Sequence, residues 1–192
     1  MAAAIEIVRF EVEPERRREL LAGHLGARRA IHALAPPGAL WSRLTRVGER
    51  GWIEIVAWER RELFDRALEL SAADPVARPW FDLASPGYMI LLGETHDAPP
   101  PPPREGALEL EWALSAAAPA GGDAEPGWSL QVEIGTRAWV DASGWVERAP
   151  MAVRISEARE GSSAPFRVDP PAPFRERVAI AHAVDAAEEA PA

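Results

Sequence analysis

His24 and Arg28 lie four residues apart, and His32 a further four, within EPERRRELLAGHLGARRAIHAL. A helix would stack all three along one face. A histidine titrates near neutral pH and suits general-base chemistry. An arginine one turn away can bind a carboxylate or stabilise a phenolate or enolate oxygen. Arg43, in the strand-like ALWSRLTRVG, is a second candidate to hold an oxyanion and shares a strand face with Trp41. Eight tryptophans accompany a single tyrosine, and such rings bury large areas while keeping one polar handle. Trp41, Trp58, Trp80 and Tyr88 are therefore the candidates to shape a substrate pocket. Plainer uses compete with each assignment. His24 also fits a core-edge histidine bonded to a sheet, and each tryptophan fits a core or an interface. No metal site is expected, because His24 and His32 are more than one turn apart, without an H-E-x-x-H motif or a third ligand. His96 reads as exposed and His182 as structural.

Composition removes several classes of chemistry. The 192 residues include no cysteine, so disulfides, thiolate catalysis and cysteine-based metal sites are excluded. Lysine is absent too, which excludes a side-chain Schiff base and a Walker A phosphate site. Residues 1–96 carry 14 acidic residues against 13 arginines, and residues 97–192 carry 16 against 8. Neither half has the basic surplus that a nucleic-acid partner requires. No long apolar run suggests a membrane span, and Glu6 and Arg9 interrupt any signal-peptide core, so cytoplasmic residence is the expectation. Arg9 and Arg43 sit in strand-like segments where burial would demand a carboxylate partner, and Glu54 is one candidate.

These residues need elements to place them. IEIVRFEV (residues 5–12) is strand-like and apolar on both parities, as in a strand buried on both faces. A helix follows, with Pro14 suited to its first turn. ALWSRLTRVG and GWIEIVAWE make a hairpin across GERG, RRELFDRALELSAA makes a second helix, DPVARPWFD a helical turn, and GYMILLGETHD a fourth strand. The order β-α-β-β-α-β is that of a ferredoxin-like domain, giving an α+β class. Its second sheet face also needs a cover, and a second copy in a homodimer is the simplest one. THDAPPPPPREG then marks a boundary, since polyproline is a stiff spacer. Beyond it ALELEWALS alternates cleanly, and further short strands follow. The expected organisation is a ferredoxin-like domain at 1–97, a proline-rich linker at 98–106, a small β-rich domain of unassigned fold at 107–185, and a flexible tail at 186–192.

The segments IEIVRFEVEPERRRELL, ALWSRLTRVGERGWIEIVAWERRELFDRAL and RPWFDLASPGYMILLGE give residues 1–96 a resemblance to the dimeric α/β-barrel proteins, in particular the antibiotic biosynthesis monooxygenase-like families. The resemblance implies a homodimeric α/β barrel, with a small-molecule pocket between sheet and helices. Members include cofactor-independent oxygenases, haem-degrading enzymes, isomerases and polyketide cyclases. The asparagine that such oxygenases use is absent, since the chain has none, and the second helix has no histidine for a haem. The function expected is a cofactor-independent monooxygenase, cyclase or isomerase acting on an apolar or aromatic substrate. There His24 would transfer protons, Arg28 or Arg43 would hold an oxyanion, and Trp41, Trp58, Trp80 and Tyr88 would line the pocket. The alternative is a non-catalytic dimeric module that binds a ligand, with its acidic second half contacting a protein partner.

Overall fold

A computed structural model describes residues 2–34, 38–71, 73–84, 88–114, 127–140, 144–158 and 166–185. The first half runs β1 (Ala3–Glu11), a short 3-10 turn (Pro14–Arg16), α1 (Arg17–Leu34), β2 (Ala39–Val47), β3 (Gly51–Trp58), α2 (Arg61–Ser71), α3 (Arg78–Ala84) and β4 (Met89–Thr95). The second half adds β5 (Ala107–Leu114), β6 (Ser129–Val140), β7 (Gly144–Glu147), β8 (Met151–Glu157) and β9 (Phe174–Asp185).

The nine strands among the described residues belong to one antiparallel sheet, in the order β4-β1-β3-β2-β9-β5-β8-β6-β7. A further pairing of β4 with β6 closes eight of them into a barrel, and β7 pairs with the C-terminal end of β6, on the side that β8 takes along its first half. The expected ferredoxin-like domain forming a dimeric α/β barrel is therefore overturned, and so is a separate C-terminal domain. The physical reason lies at the sheet edges. A four-stranded sheet leaves two rows of unpaired backbone groups, on β2 and β4. Here β9 pairs with β2 and β6 with β4, so the chain's own second half satisfies both edges and covers the face assigned to a partner copy. At the β4–β6 seam a side chain on Gly93 would collide with Val132 and the Glu133 carbonyl, so glycine is what lets these strands meet.

Closure explains two kinds of strand pattern. In β1 and β3 one parity faces the barrel interior and the other faces the helices, so both are apolar and buried. Among the described residues no helix packs on the outer side of β5 and β8. In β5 buried positions alternate with partly exposed ones, as the sequence of ALELEWAL shows. The interior is filled by Ile5, Ile7, Ile53, Ile55, Leu110 and Val153 among others, and eight strands leave room for little beyond side chains.

One charged pair lies inside that apolar filling. Arg9, on β1, and Glu176, on β9, are both fully buried and form a bidentate ion pair. Trp112 donates its indole N–H to Glu176, and Arg9 also donates from Nε and Nη2 to the carbonyls of Arg167 and Val168. The partner of Arg9 is thus Glu176, not Glu54. Every lone pair and donor counts here, because neither ion has water to fall back on.

The proline segment also acquires a different role. It joins β4 to β5, which are far apart around the ring, so it must cross one end of the barrel. An extended proline run has no internal hydrogen bonds. Its carbonyls are taken by Trp41 (to Pro99, 3.0 Å), Trp128 (to Pro100, 3.0 Å) and Arg43 (to Pro102, 2.7 Å, and Pro103, 3.0 Å). It is a strap on a single barrel and not a spacer between two domains. The expected tail at 186–192 lies outside the described residues. No helix among the described residues is long and apolar enough to cross a membrane.

Removing one partner of a buried pair leaves an uncompensated charge, so Arg9→Met is expected to cost about 3–5 kcal/mol in denaturant unfolding. The double variant Arg9→Met with Glu176→Met should recover most of that loss. Equal instability of the single and double variants would show that the pair does not act as a unit.

Candidate functional site

Strand alternation decides which candidate residues can meet. Ser42 and Leu44 on β2, Glu54 on β3, and Glu6 and Val8 on β1 share the parity that faces the helices. Trp41 and Arg43 have the other parity and turn towards the barrel interior and its strapped end. Arg43 bonds Asp185 at 2.8 Å as well as the strap. These two residues therefore stand apart from His24 and Arg28.

Helix α1 buries Leu20, His24, Ala27, Arg28 and Ile31, at the three- and four-residue steps that make one face. That face brings His24 and Arg28 down onto Glu54. Arg28 donates Nε to Glu54 Oε1 at 2.6 Å and an Nη to Oε2, while Ser42 donates its hydroxyl to Oε1 at 2.9 Å. His24 Nε2 lies 2.6 Å from the same Oε1, and His24 Nδ1 lies 2.6 Å from Nδ1 of His182, on β9. A neutral arrangement satisfies every link. His182 Nδ1–H donates to His24 Nδ1, and His24 Nε2–H donates to Glu54. His182 thus joins the network through its ring rather than merely filling space. His32's side chain lies outside the described residues, and no group of three metal-binding side chains occurs among them.

Glu54 is 1% exposed. Burial on its own would raise its carboxyl, but the Arg28 charge and then His24 outweigh that and hold it well below the usual carboxylate range. It is a fixed anion. Glu6 behaves in the opposite way. Its residue pairs with Val56, and Val8 pairs with Glu54, so the two carboxylates are diagonal neighbours on one sheet face. Burial pushes the Glu6 carboxyl up to about 7; the Arg28 charge pulls it down, the Glu54 charge adds to the rise, and the Trp58 indole bond opposes it. That bond, Trp58 Nε1 to Glu6 Oε2, is 2.9 Å long. Two carboxyls with proton affinities driven apart are a usual mark of acid–base work.

Between this cluster and the helices lies a cavity of about 30 Å³. Glu6, Arg28 and Glu54 form its polar part, and Trp58, Trp80, Tyr88 and Phe64 contribute to its apolar walls. Of the seven candidate residues, Arg28, Trp58, Trp80 and Tyr88 line the cavity. His24 sits behind it, against Trp80 and Glu54. Spacing along the sequence does not single out Glu6 or Ser42. A signal for Glu6 existed, since the tetrapeptide IEIV occurs at 5–8 and again at 53–56. Each copy places a glutamate inside an otherwise apolar strand.

No family model matches the chain, and no curated protein matches it. Among solved structures, an anthrone oxidase-like protein is 14% identical, with a TM-score of 0.61 over 100% of this chain and 96% of that one. A candidate monooxygenase from Lactobacillus acidophilus NCFM is 12% identical, with a TM-score of 0.47 over 81% and 77% of the two chains. The first likeness shows a shared fold, and the second carries no argument.

Glu6 links this site to stability. The folded chain holds the Glu6 proton more tightly than the unfolded chain, whose group titrates near 4.5, so the contribution is full below that pH and is lost as pH rises through about 7. At about 1.4 kcal/mol per unit the loss is roughly 3 kcal/mol. Glu6→Gln should therefore flatten the decline in unfolding free energy between about pH 5 and 8. An unchanged pH slope would show that Glu6 is ionised throughout that range.

Proposed function

We propose that this chain is a small-molecule tailoring enzyme of the monooxygenase, cyclase or isomerase kind, working without a cofactor on an apolar or aromatic substrate. The observation that carries this reading is the composition of the cavity. An ionised Glu54–Arg28 pair and a second, separately held carboxyl at Glu6 stand in walls otherwise made of Trp58, Trp80, Tyr88, Phe64 and aliphatic side chains. A pocket with mostly apolar walls and a few converging polar groups is the usual form of a small-molecule site. Arg28 would stabilise a developing oxyanion, and the aromatic rings would hold a flat substrate by its faces. His24 would keep Glu54 ionised and oriented from behind the wall. The shared fold with an anthrone oxidase-like protein supports the same class of chemistry.

The cavity as it stands holds no more than a few water molecules, since one water needs about 10–15 Å³ by the same measure. An aromatic substrate must therefore displace α2 and α3 away from the sheet. Leu68 is the residue to test, because it lines the cavity and is only partly buried on α2. Anthrone, a tricyclic aromatic ketone, is expected to quench the fluorescence of Trp58 and Trp80. Leu68→Trp should weaken that binding by about tenfold, or ~1.4 kcal/mol. Equal binding by both proteins would place the ligand elsewhere and overturn the site.

A further inference from the structure

We propose that Glu6, and not His24, is the residue that takes the substrate's proton in this cavity, so that the site acts on a carbonyl compound with an acidic neighbouring C–H. The inference deepens the functional reading above and rests on it.

The geometry divides the titratable groups by what remains of their bonding capacity. Both oxygens of Glu54 are occupied, Oε1 by Arg28, His24 and Ser42 and Oε2 by Arg28. Both nitrogens of His24 are occupied as well, by Glu54 and His182, and His24 is fully buried behind the wall. Glu6 differs on each point. It lines the cavity, and its one hydrogen bond among the described residues comes from Trp58 to Oε2. Among the described residues Oε1 accepts none, which leaves a carboxyl oxygen for a ligand. A catalytic base must reach the proton it abstracts, and Glu6 is the carboxyl of this cluster with an oxygen to spare.

Its surroundings suit the task. The charged and titratable groups that face it are Arg28 from α1 and Glu54 from β3, with Tyr88 at the entrance to β4. Helices α2 and α3 present only Phe64, Ala67, Leu68, Ser71, Trp80, Phe81 and Ala84 to the cavity. The Trp58 N–H fixes one oxygen, and the other accepts no hydrogen bond from the described residues. In the step assigned here, a C–H bond beside a carbonyl breaks and its electron pair moves onto the carbonyl oxygen as an enolate. The proton joins Glu6 Oε1. The Arg28 charge on the same wall stabilises the enolate. Return of that proton to another carbon completes an isomerisation, with no oxidant, reductant or leaving group required.

The test uses the full chain with 2-tetralone in D₂O. Deuterium uptake at the α-carbons is read by ¹H NMR, and binding by tryptophan fluorescence. The wild-type protein should accelerate exchange, with a rate that rises with pH and levels off above about 7. Glu6→Gln, which preserves an acceptor for Trp58, should bind 2-tetralone but lose about 100-fold or more of the exchange rate. His24→Gln should keep the exchange and shift its pH profile, as befits a positioning residue. Full exchange by Glu6→Gln would overturn the role of Glu6 while leaving the cavity as the substrate site; binding without exchange by the wild type would do the same. A wild-type protein that fails to bind the ketone would strike at the cavity reading instead. In that event ¹³C NMR of the ligand-free protein decides on Glu6. A carboxyl still protonated at pH 6 supports the assignment, and one fully ionised by pH 5 overturns it.

Discussion

A carboxylate removed from water must have its lone pairs met by the protein, and this fold meets that demand twice, on opposite faces of one sheet. Glu176 inside the barrel is matched by Arg9 and Trp112. Glu54 outside it is matched by Arg28, His24 and Ser42. Both arrangements span the two halves of the chain, since Arg9 reaches β9 directly and His24 reaches His182 on the same strand. Generic apolar packing would allow the helices to slide over the barrel. Ion pairs with fixed donor geometry do not, so α1 is held at one angle and one depth. The cavity wall inherits that fixity.

Much of the first half is legible in its sequence. The stripe of Leu20, His24, Ala27, Arg28 and Ile31 follows helical spacing, and the apolar parities of β1 and β3 mark strands buried on both faces. Those patterns say that a cover exists and do not say whose it is. A partner copy and a distant segment of the same chain bury the same side chains, so composition cannot distinguish them. The clean alternation of ALELEWAL is similarly silent about which strand lies beside it. Pairings such as β4 with β6 and β2 with β9 depend on closure, which is a property of the whole ring.

The site is legible to the same depth. Helical spacing places Arg28 and His24 together, but it does not reveal that His24 would have both nitrogens engaged. Trp41 and Arg43 share a strand face, as the alternation of β2 requires, and that shared face is the wrong one for chemistry beside α1. A glutamate in a strand is usually solvent-facing, so residue type alone does not mark Glu6; its burial follows from the helices above it. Once both faces of β1 and β3 are covered, an acidic residue on either strand has to be paired or hold its proton to higher pH. Glu54, on β3, takes the first course, and Glu6, on β1 and pushed up to about 7, the second.

The ion pair between Arg9 and Glu176 joins residues 167 positions apart, and this sets an order of events on the ribosome. Strand β1 emerges early, with an arginine destined for the interior and no carboxylate yet made to receive it. Until β9 follows, β2 keeps an open edge and His24 lacks His182. Long-range pairings of this kind delay folding, because the loop entropy must be overcome before the contacts repay it. The nascent first half is therefore an open, sticky sheet, the kind of species that chaperones shelter during synthesis. The network behind its cavity gains the His24–His182 link only after the last described strand has been translated.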